Sequence, residues 1–143
     1  MHGTVSGTLL VGLALIHADA RAETPAFNYT LHCQGCHLVD GRETPGKIPP
    51  LVGAGGFLSV AGGREFLVQV PGVSLSTIDD VELAELLNWL LNRFSPDDLP
   101  ADFEPYTVDE VARLRESPLV EVEKVRAGLV AALEAGPVAQ TTE

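Results

Sequence analysis

Two cysteines and a histidine stand close together in the segment Cys33-Gln34-Gly35-Cys36-His37. Thiols at this spacing lie on one turn of helix, where both can add to the two vinyl groups of a haem. The adjacent histidine can then bind the iron from the same turn. The motif therefore predicts one covalent haem c per chain, attached through Cys33 and Cys36, with His37 as the metal ligand.

The other chemical roles open to this cysteine pair do not explain all of the residues in the motif. A disulfide between Cys33 and Cys36 would close a loop too short to constrain the unfolded chain much. A redox dithiol is the remaining alternative, but no apolar strand of a βαβ unit precedes the pair. A structural zinc ion usually takes four ligands, and the chain beyond the leader adds only His37 and His32 to the cysteines. Haem attachment is the interpretation that uses every residue of the motif.

The leader contains an unbroken apolar run from Leu9 to Ile16 and ends in two overlapping small-x-small cleavage sites, Ala18-Asp19-Ala20 and Ala20-Arg21-Ala22. This layout is typical of a secretory signal peptide over residues 1–22, although no lysine or arginine precedes the run. The run is far shorter than the roughly 20 residues that span a bilayer. We therefore expect export to the periplasm or another extracytoplasmic compartment, with no transmembrane span after cleavage.

Composition narrows the possible partners. The 143 residues suit one domain of ordinary size, and 45% of them are hydrophobic, enough for a packed core. Nine lysines and arginines stand against twenty aspartates and glutamates, which gives a net charge of −11. This balance argues against a nucleic acid partner and against attraction to an anionic membrane surface. It favours docking to a basic protein surface.

Apolar spacing and capping residues predict helices after a Gly- and Pro-rich loop. The segment Val39–Gly63 has no sustained period and should be loop around the cofactor. Arg64–Val70 suits a helix of two turns, and Ser76 or Thr77 can cap the next helix. Ser95-Pro96 should end that helix. Its apolar face consists of five leucines at three- and four-residue steps: Leu83, Leu86, Leu87, Leu90 and Leu91.

With these elements around its motif, the chain resembles the class I c-type cytochromes. The segment Phe27–His32 corresponds to the family's first helix, which carries an aromatic residue directly before the haem motif. The resemblance implies an all-α fold, in which the carbonyl of Pro49 accepts a hydrogen bond from the second imidazole nitrogen of His37. It also implies that a last helix, here Asp79–Phe94 with Trp89 as its aromatic residue, packs across the first.

The resemblance covers roughly residues 25–94 and departs from the family at the sixth position of the iron. Class I cytochromes usually supply a methionine from the loop before the last helix. In this sequence that loop, Pro71–Ser76, contains none, and Met1 is the sole methionine of the chain. Lys47 and Lys124 have no placement that argues for coordination. We therefore expect a haem that lacks methionine ligation and is five-coordinate or weakly capped by water.

The C-terminal third follows a Pro- and Asp-rich linker. Thr107 and Glu110 form a capping box that predicts a helix through about Glu116. Ser117-Pro118 predicts an N-cap and first turn for a second helix, from Leu119 to about Ala135. Val122, Val125, Leu129 and Leu133 form its apolar stripe. The expected organisation is a signal peptide, a cytochrome c-like haem domain, a linker, a C-terminal helical extension and a disordered tail, at 1–22, 23–94, 95–106, 107–136 and 137–143.

Several charged residues have a functional and an ordinary interpretation. Arg42, Lys47 and Arg64 lie on segments expected to surround the cofactor, where each could pair with a haem propionate or remain a solvated surface charge. His32 directly precedes the motif and is expected to be an exposed histidine, because it cannot easily reach the opposite face of the iron.

The function that follows from this cofactor is single-electron transfer. An exported, acidic chain with one haem and no catalytic triad is expected to be a carrier rather than an enzyme. The resemblance implies a redox protein partner, such as a periplasmic dehydrogenase or oxidase. Two alternatives remain: an open-site haem protein that binds CO, NO or peroxide, and a haem subunit of a larger redox enzyme.

Overall fold

The computed structural model describes residues 23–46 and 48–136. Six α-helices follow one another along this range: α1 Pro25–His32, α2 Gly63–Gln69, α3 Pro71–Ser74, α4 Asp80–Phe94, α5 Val108–Arg115 and α6 Val122–Ala135. Two 3₁₀ helices, Ala54–Ser59 and Pro96–Asp98, lie between them, and the described residues contain no strand. The predicted all-α fold with a C-terminal helical pair is confirmed.

Some predictions concern residues outside the described ranges. These are the signal peptide over 1–22, the propionate interpretation of Lys47 and the disordered tail over 137–143. Within the described ranges, every helix is too short or too polar to cross a membrane.

The first helix crosses the fourth through an aromatic contact. The ring centroid of Tyr29 on α1 lies 5.7 Å from that of Trp89 and 5.1 Å from that of Phe94. Tyr29 is buried, and the predicted apolar face of α4 is buried along its whole length. The expected packing of an aromatic last helix across the first is therefore confirmed.

The loop that follows the cysteine motif is held against the end of α4 by a glycine. Gly41 has a φ of +75°, and a Cβ atom there would lie 2.6 Å from the ring of Phe94. Its carbonyl accepts a hydrogen bond from the amide of Leu51 at 2.7 Å. Only glycine combines this backbone conformation with so close an approach.

The predicted loop Val39–Gly63 is not irregular throughout, because Ala54–Ser59 forms a 3₁₀ helix. Gly63 allows α2 to begin directly against this 3₁₀ helix, because a Cβ atom at Gly63 would lie 1.8 Å from the carbonyl oxygen of Phe57. The predicted helix Arg64–Val70 is confirmed as α2, with its bounds moved by one residue.

The segment that corresponds to the methionine loop of the class I cytochromes, which the sequence resembles, is partly helical. The sequence indicates a loop at Pro71–Ser76, whereas Pro71–Ser74 forms the single-turn helix α3. Proline at the first position favours this turn, because its φ is already helical and its missing N–H would be unpaired anyway.

The predicted cap of α4 is wrong. Neither Ser76 nor Thr77 caps the helix; the N-cap is Asp79, whose carboxylate accepts a hydrogen bond from the amide of Glu82 at 2.9 Å. Ile78, the residue before Asp79, is buried. The helix therefore starts at Asp79, the next residue whose polar side chain has an acceptor oxygen. The predicted end of the helix at Ser95 is confirmed.

Helix α5 begins as predicted but with half of its capping box. The Thr107 hydroxyl accepts a hydrogen bond from the amide of Glu110 at 3.2 Å. The carboxylate of Glu110 does not return to the cap; it pairs instead with Arg64, with its two oxygens 2.6 and 2.7 Å from the guanidinium. This charged bond lowers the pKa of Glu110, and a bidentate ion pair outweighs a single bond to a backbone amide.

Helix α6 begins later than predicted. Its first residue is Val122, and Ser117-Pro118 does not form its cap and first turn. The chain is not helical there because the amide of Leu119 donates to the carbonyl of Gln69 at 2.9 Å, which ties it to the end of α2. The predicted apolar stripe of α6 does face the protein, where Leu129 is buried against Phe57 and Phe66.

Helix α5 and the segment before it share the main core with the preceding helices. Tyr106, Val111 and Leu114 are buried in one cluster with the leucines of α4. The side-chain amide of Asn88 on α4 forms hydrogen bonds of 2.9 and 2.7 Å with the backbone of Tyr106. The core is therefore continuous across residues 95–106.

Replacing a core residue of α5 tests this continuity. Leu114→Ala should lower the free energy of unfolding by about 2–5 kcal/mol, because it leaves a cavity between α5 and α4. Denaturant unfolding followed by far-UV circular dichroism measures the change. The matched control is Val120, which is 93% exposed, and Val120→Ala should change stability by about 0.5 kcal/mol or less. Equal effects of the two substitutions would contradict a shared core.

Candidate functional site

The cysteine motif continues the last turn of α1. The amides of Cys33 and Gln34 both donate to the carbonyl of Tyr29, at 2.9 and 3.0 Å. The amides of Cys36 and His37 then donate to the carbonyl of Cys33, at 3.1 and 2.9 Å. These bonds wind the motif into consecutive turns, which bring both thiols and the imidazole to the wall of one cavity.

Hydrogen bonds from outside the motif hold its far end. The Tyr29 hydroxyl donates to the carbonyl of Leu38. The Thr44 hydroxyl donates to the carbonyl of Cys36 at 2.8 Å, and an isolated β-bridge joins His37 to Glu43. The motif is therefore fixed by α1 on one side and by the following loop on the other.

The cavity beside the motif has a volume of about 430 Å³. The four residues that the sequence predicts for the site, Cys33, Cys36, His37 and Pro49, all line it. Most of the remaining wall is apolar and comes from the loop before α2, from α2 and α3, and from the leucine face of α4. Helix α6 completes the wall with Val122, Glu123 and Arg126.

The cysteines and the histidine differ in their exposure. Cys33 and Cys36 are free thiols, the first half-buried and the second exposed. Burial raises the pKa of Cys33 to about 11, so its thiol is protonated at neutral pH. Burial also lowers the pKa of His37, which favours the neutral imidazole that a metal ligand must be.

The hydrogen bond implied for Pro49 is not formed in this structure. Nδ1 of His37 is buried, and no described residue forms a hydrogen bond with it. Pro49 lines the same cavity, and the role of its carbonyl stays a prediction.

A haem fits the residues that are present. The cavity volume lies within the range of about 300–1,000 Å³ that is typical of small-molecule and cofactor sites. Its wall is mostly apolar, as a porphyrin ring requires. Nδ1 of His37 is buried and has no hydrogen-bond partner in the described part of the chain. No hydrogen bond within the described residues therefore fixes the orientation of the imidazole ring. A metal at the opposite ring nitrogen and an acceptor at Nδ1 would fix it.

The predicted propionate partners lie elsewhere. Arg42 is exposed and pairs with Asp40 at 3.3 Å. Arg64 is engaged by Glu110 and by the carbonyls of Glu104 and Pro105, and it lies over the ring of Tyr106. Neither arginine lines the cavity beside the motif. For Arg64 the interpretation as a propionate partner is wrong, because it lies outside this cavity and four of its five N–H donors are engaged elsewhere.

The arginine that does line the cavity is not singled out by the sequence. Arg126 on α6 lies with its guanidinium carbon 5.9 Å from the ring centroid of Phe57, and it forms no ion pair within the described residues. It stands next to Val125 in the apolar stripe of α6. Its position beside a buried stripe is the only feature of the sequence that points to Arg126. The sequence does not show which surface the stripe covers.

The wall at α3 offers no side chain that binds iron. The cavity is lined there by Val70, Pro71, Gly72 and Val73. On α6, Lys124 points away from the cavity, in an exposed ion pair with Glu121 at 3.1 Å. Outside the motif itself, the described lining residues that could ligate a metal are an imidazole and a carboxylate: His32 and Glu123.

A second cavity, of about 440 Å³, lies beside the segment before α5. Arg64, Glu104 and Glu110 contribute to its lining, and their ion pair and hydrogen bonds are complete without a ligand.

Two curated relatives are similar to this chain, and both are named "Cytochrome c-552" and come from Thermus thermophilus. One is 32% identical over 126 residues, covering 75% of this chain and 81% of the relative. The other is 31% identical over 102 residues, covering 58% of this chain and 78% of the relative. No family model matches the chain.

Proposed function

Because the chain belongs to the cytochrome c-552 family of c-type cytochromes, we propose that it is a monohaem electron carrier. One haem c is attached through thioether bonds to Cys33 and Cys36, and its iron is bound by His37. The observation that supports this most is the placement of these three side chains on one wall of a mostly apolar cavity. When bound, the haem supplies a one-electron Fe(III)/Fe(II) couple.

The apolar lining residues would reduce the amount of water around a bound haem. Leu87, Leu90 and Leu91 of α4 form one wall, and Phe66 and Val70 contribute to another. An apolar wall disfavours the extra charge of the oxidised state, since the surroundings cannot solvate it.

His37 requires an acceptor for its second ring nitrogen. We propose that this acceptor is the carbonyl of Pro49, which lines the same cavity. A bond from Nδ1–H to this carbonyl would fix the tautomer and the orientation of the imidazole.

Arg126 is proposed to pair with a haem propionate. It is half-buried on a mostly apolar wall and has no ion-pair partner among the described residues. A carboxylate is the group that would satisfy its fork of donors. By this contact the C-terminal extension, proposed over residues 107–136, takes part in binding the cofactor of the 23–94 haem domain.

Export and an acidic surface define the proposed partner. The signal peptide predicted over 1–22 directs the chain to the periplasm. Its net charge of −11 would steer it to a basic patch on a redox protein, such as a dehydrogenase or an oxidase. Leu31, Leu38 and Val39, on the segments that flank the motif, are exposed and would supply an apolar contact close to the haem.

A second candidate function is the binding of small ligands at the iron. The α3 segment lines the cavity without a methionine, so the position opposite His37 would be open or weakly capped. An open iron binds CO, NO or peroxide in addition to exchanging electrons.

Covalent attachment is tested on the exported protein by denaturing gel electrophoresis with a haem peroxidase stain. The band should stain for haem in the native sequence and lose the stain in the Cys33→Ala, Cys36→Ala double variant. His37→Ala should perturb the optical spectrum, whereas Thr30→Ala, at an exposed position of α1 outside the cavity lining, should leave it unchanged. An unstained native band, from cells with the maturation machinery, would refute the proposal.

The sixth position is tested by optical and EPR spectra with and without CO. We expect a high-spin ferric haem and rapid binding of CO to the ferrous form, because no methionine is available. A low-spin haem with a sulfur-to-iron charge-transfer band would refute this expectation. A low-spin haem without that band would point to a nitrogen ligand, and turnover with peroxide would distinguish an enzyme from a carrier.

The role of Arg126 is tested through the pH dependence of the reduction potential. A cation beside a carboxylate lowers the pKa of the carboxylate by about 1–3 units, so Arg126→Gln should move the acid-side inflection to higher pH by a similar amount. Lys124→Gln, on the same helix but away from the cavity, is the matched control. An inflection at the same pH in both variants would exclude the propionate contact.

A further inference from the structure

Both ends of the α3 segment are bound by the C-terminal extension. Before α3, the carbonyl of Gln69 accepts the hydrogen bond from the amide of Leu119. After α3, the side chain of Arg115, at the end of α5, contacts the backbone of residues 74–78. We call this set of contacts the α3 clasp.

Arg115 forms most of the clasp. Its Nε donates to the carbonyl of Ser74 at 3.2 Å, one terminal nitrogen donates to the carbonyl of Ile78 at 2.8 Å, and the other donates to the carbonyl of Ser76. The nitrogen that reaches Ile78 also pairs with Asp80 at 2.8 Å. Only 16% of the Arg115 side chain is exposed, so these bonds are partly shielded from water.

The clasp satisfies backbone groups that would otherwise lack partners. No backbone amide within the described residues donates to the carbonyls of Ser74, Ser76 or Ile78. A guanidinium is the side chain that can reach all three, because its donors point in several directions from one plane. Without the guanidinium, these three carbonyls would have only water as a hydrogen-bond partner, and the side chain would no longer hold residues 74–78 in place.

Apart from the clasp, α3 is held by Val73, which packs against the main core, and by the buried Ser74. It is a single turn of four residues, too short to be stable alone. Among the described helices it contacts only α2 and α5, and Val70, in an extended conformation, connects it to α2. Without the contacts to α5, α3 could swing about Val70.

We infer that Arg115 is a positioning residue that keeps α3 closed over the cavity and thereby limits the access of small ligands to the iron. Pro71, Gly72 and Val73 of α3 form part of the cavity wall, so movement of α3 opens that wall. The inference rests on the proposed function for the iron, whereas the clasp itself rests on the contacts above.

The experiment compares Arg115→Gln with Arg113→Gln in the exported holoprotein. Arg113 lies on the same helix and is exposed, which makes it a matched control. Hydrogen exchange reports the closure of α3, through the amides of Val73, Ser74 and Leu75, and stopped-flow binding of imidazole to the ferric form reports access. Arg115→Gln should raise both rates by about tenfold or more, and Arg113→Gln should change neither.

Two further variants separate charge from carbonyl contacts. Asp80→Asn keeps the bonds to the carbonyls and should change both rates by about twofold or less, because a partly exposed ion pair contributes little. Arg115→Lys keeps the charge but not the fork of donors and should give intermediate rates. It also replaces Arg115→Gln if that variant does not fold.

The outcomes are distinct. Unchanged exchange at α3 in both Arg115 variants would overturn the clasp. Faster exchange with equal imidazole binding, including no binding to either protein, would overturn the control of access. A chain without haem would instead refute the proposed function, and the exchange comparison would still decide whether Arg115 holds α3.

Discussion

Tyr29 is the residue on which the geometry of the site depends. Its carbonyl accepts the amides of Cys33 and Gln34, its hydroxyl donates to the carbonyl of Leu38, and its ring packs against α4. One buried residue thus joins the start of the motif, through its backbone, to the end of the motif and to α4, through its side chain. These contacts position the motif while both of its cysteines are free thiols.

The C-terminal extension completes the site from two directions. Helix α6 places Arg126 on the cavity wall, and α5 places Arg115 against the backbone that follows α3. Helix α5 packs on the main core with α1 and α4, and α6 packs against Phe57 and Phe66 of the cavity wall, so cofactor binding and extension packing should be energetically coupled. The chain thereby compensates for a short α3 segment, which has no metal ligand of its own to anchor it.

Local features of the site could be predicted from the sequence. The spacing of Cys33, Cys36 and His37 predicts a shared turn, and the structure brings all three to one cavity with Pro49. The leucine face of α4 and the end of that helix at Ser95 also follow from periodicity and capping. In each of these cases, the interactions that decide the structure lie within a few residues along the chain.

Features decided by distant contacts could not be predicted. The Glu110 carboxylate leaves its capping box for Arg64, 46 residues away, and Leu119 is drawn out of a helix by Gln69. Arg126 and Arg115 carry no local signal of their partners, because an arginine near the end of an amphipathic helix is usually a solvated charge. Asp79 does not stand out as the cap of α4, because earlier polar residues compete with it on sequence grounds alone.

The central claim is that this cavity holds a haem bound by His37 with no side chain at the sixth position. The most direct test is the resonance Raman spectrum of the reduced, exported protein, because the iron–histidine stretching band is seen only in a five-coordinate ferrous haem. The account predicts this band in the native protein and its loss in His37→Ala. A six-coordinate spectrum without the band would contradict the claim.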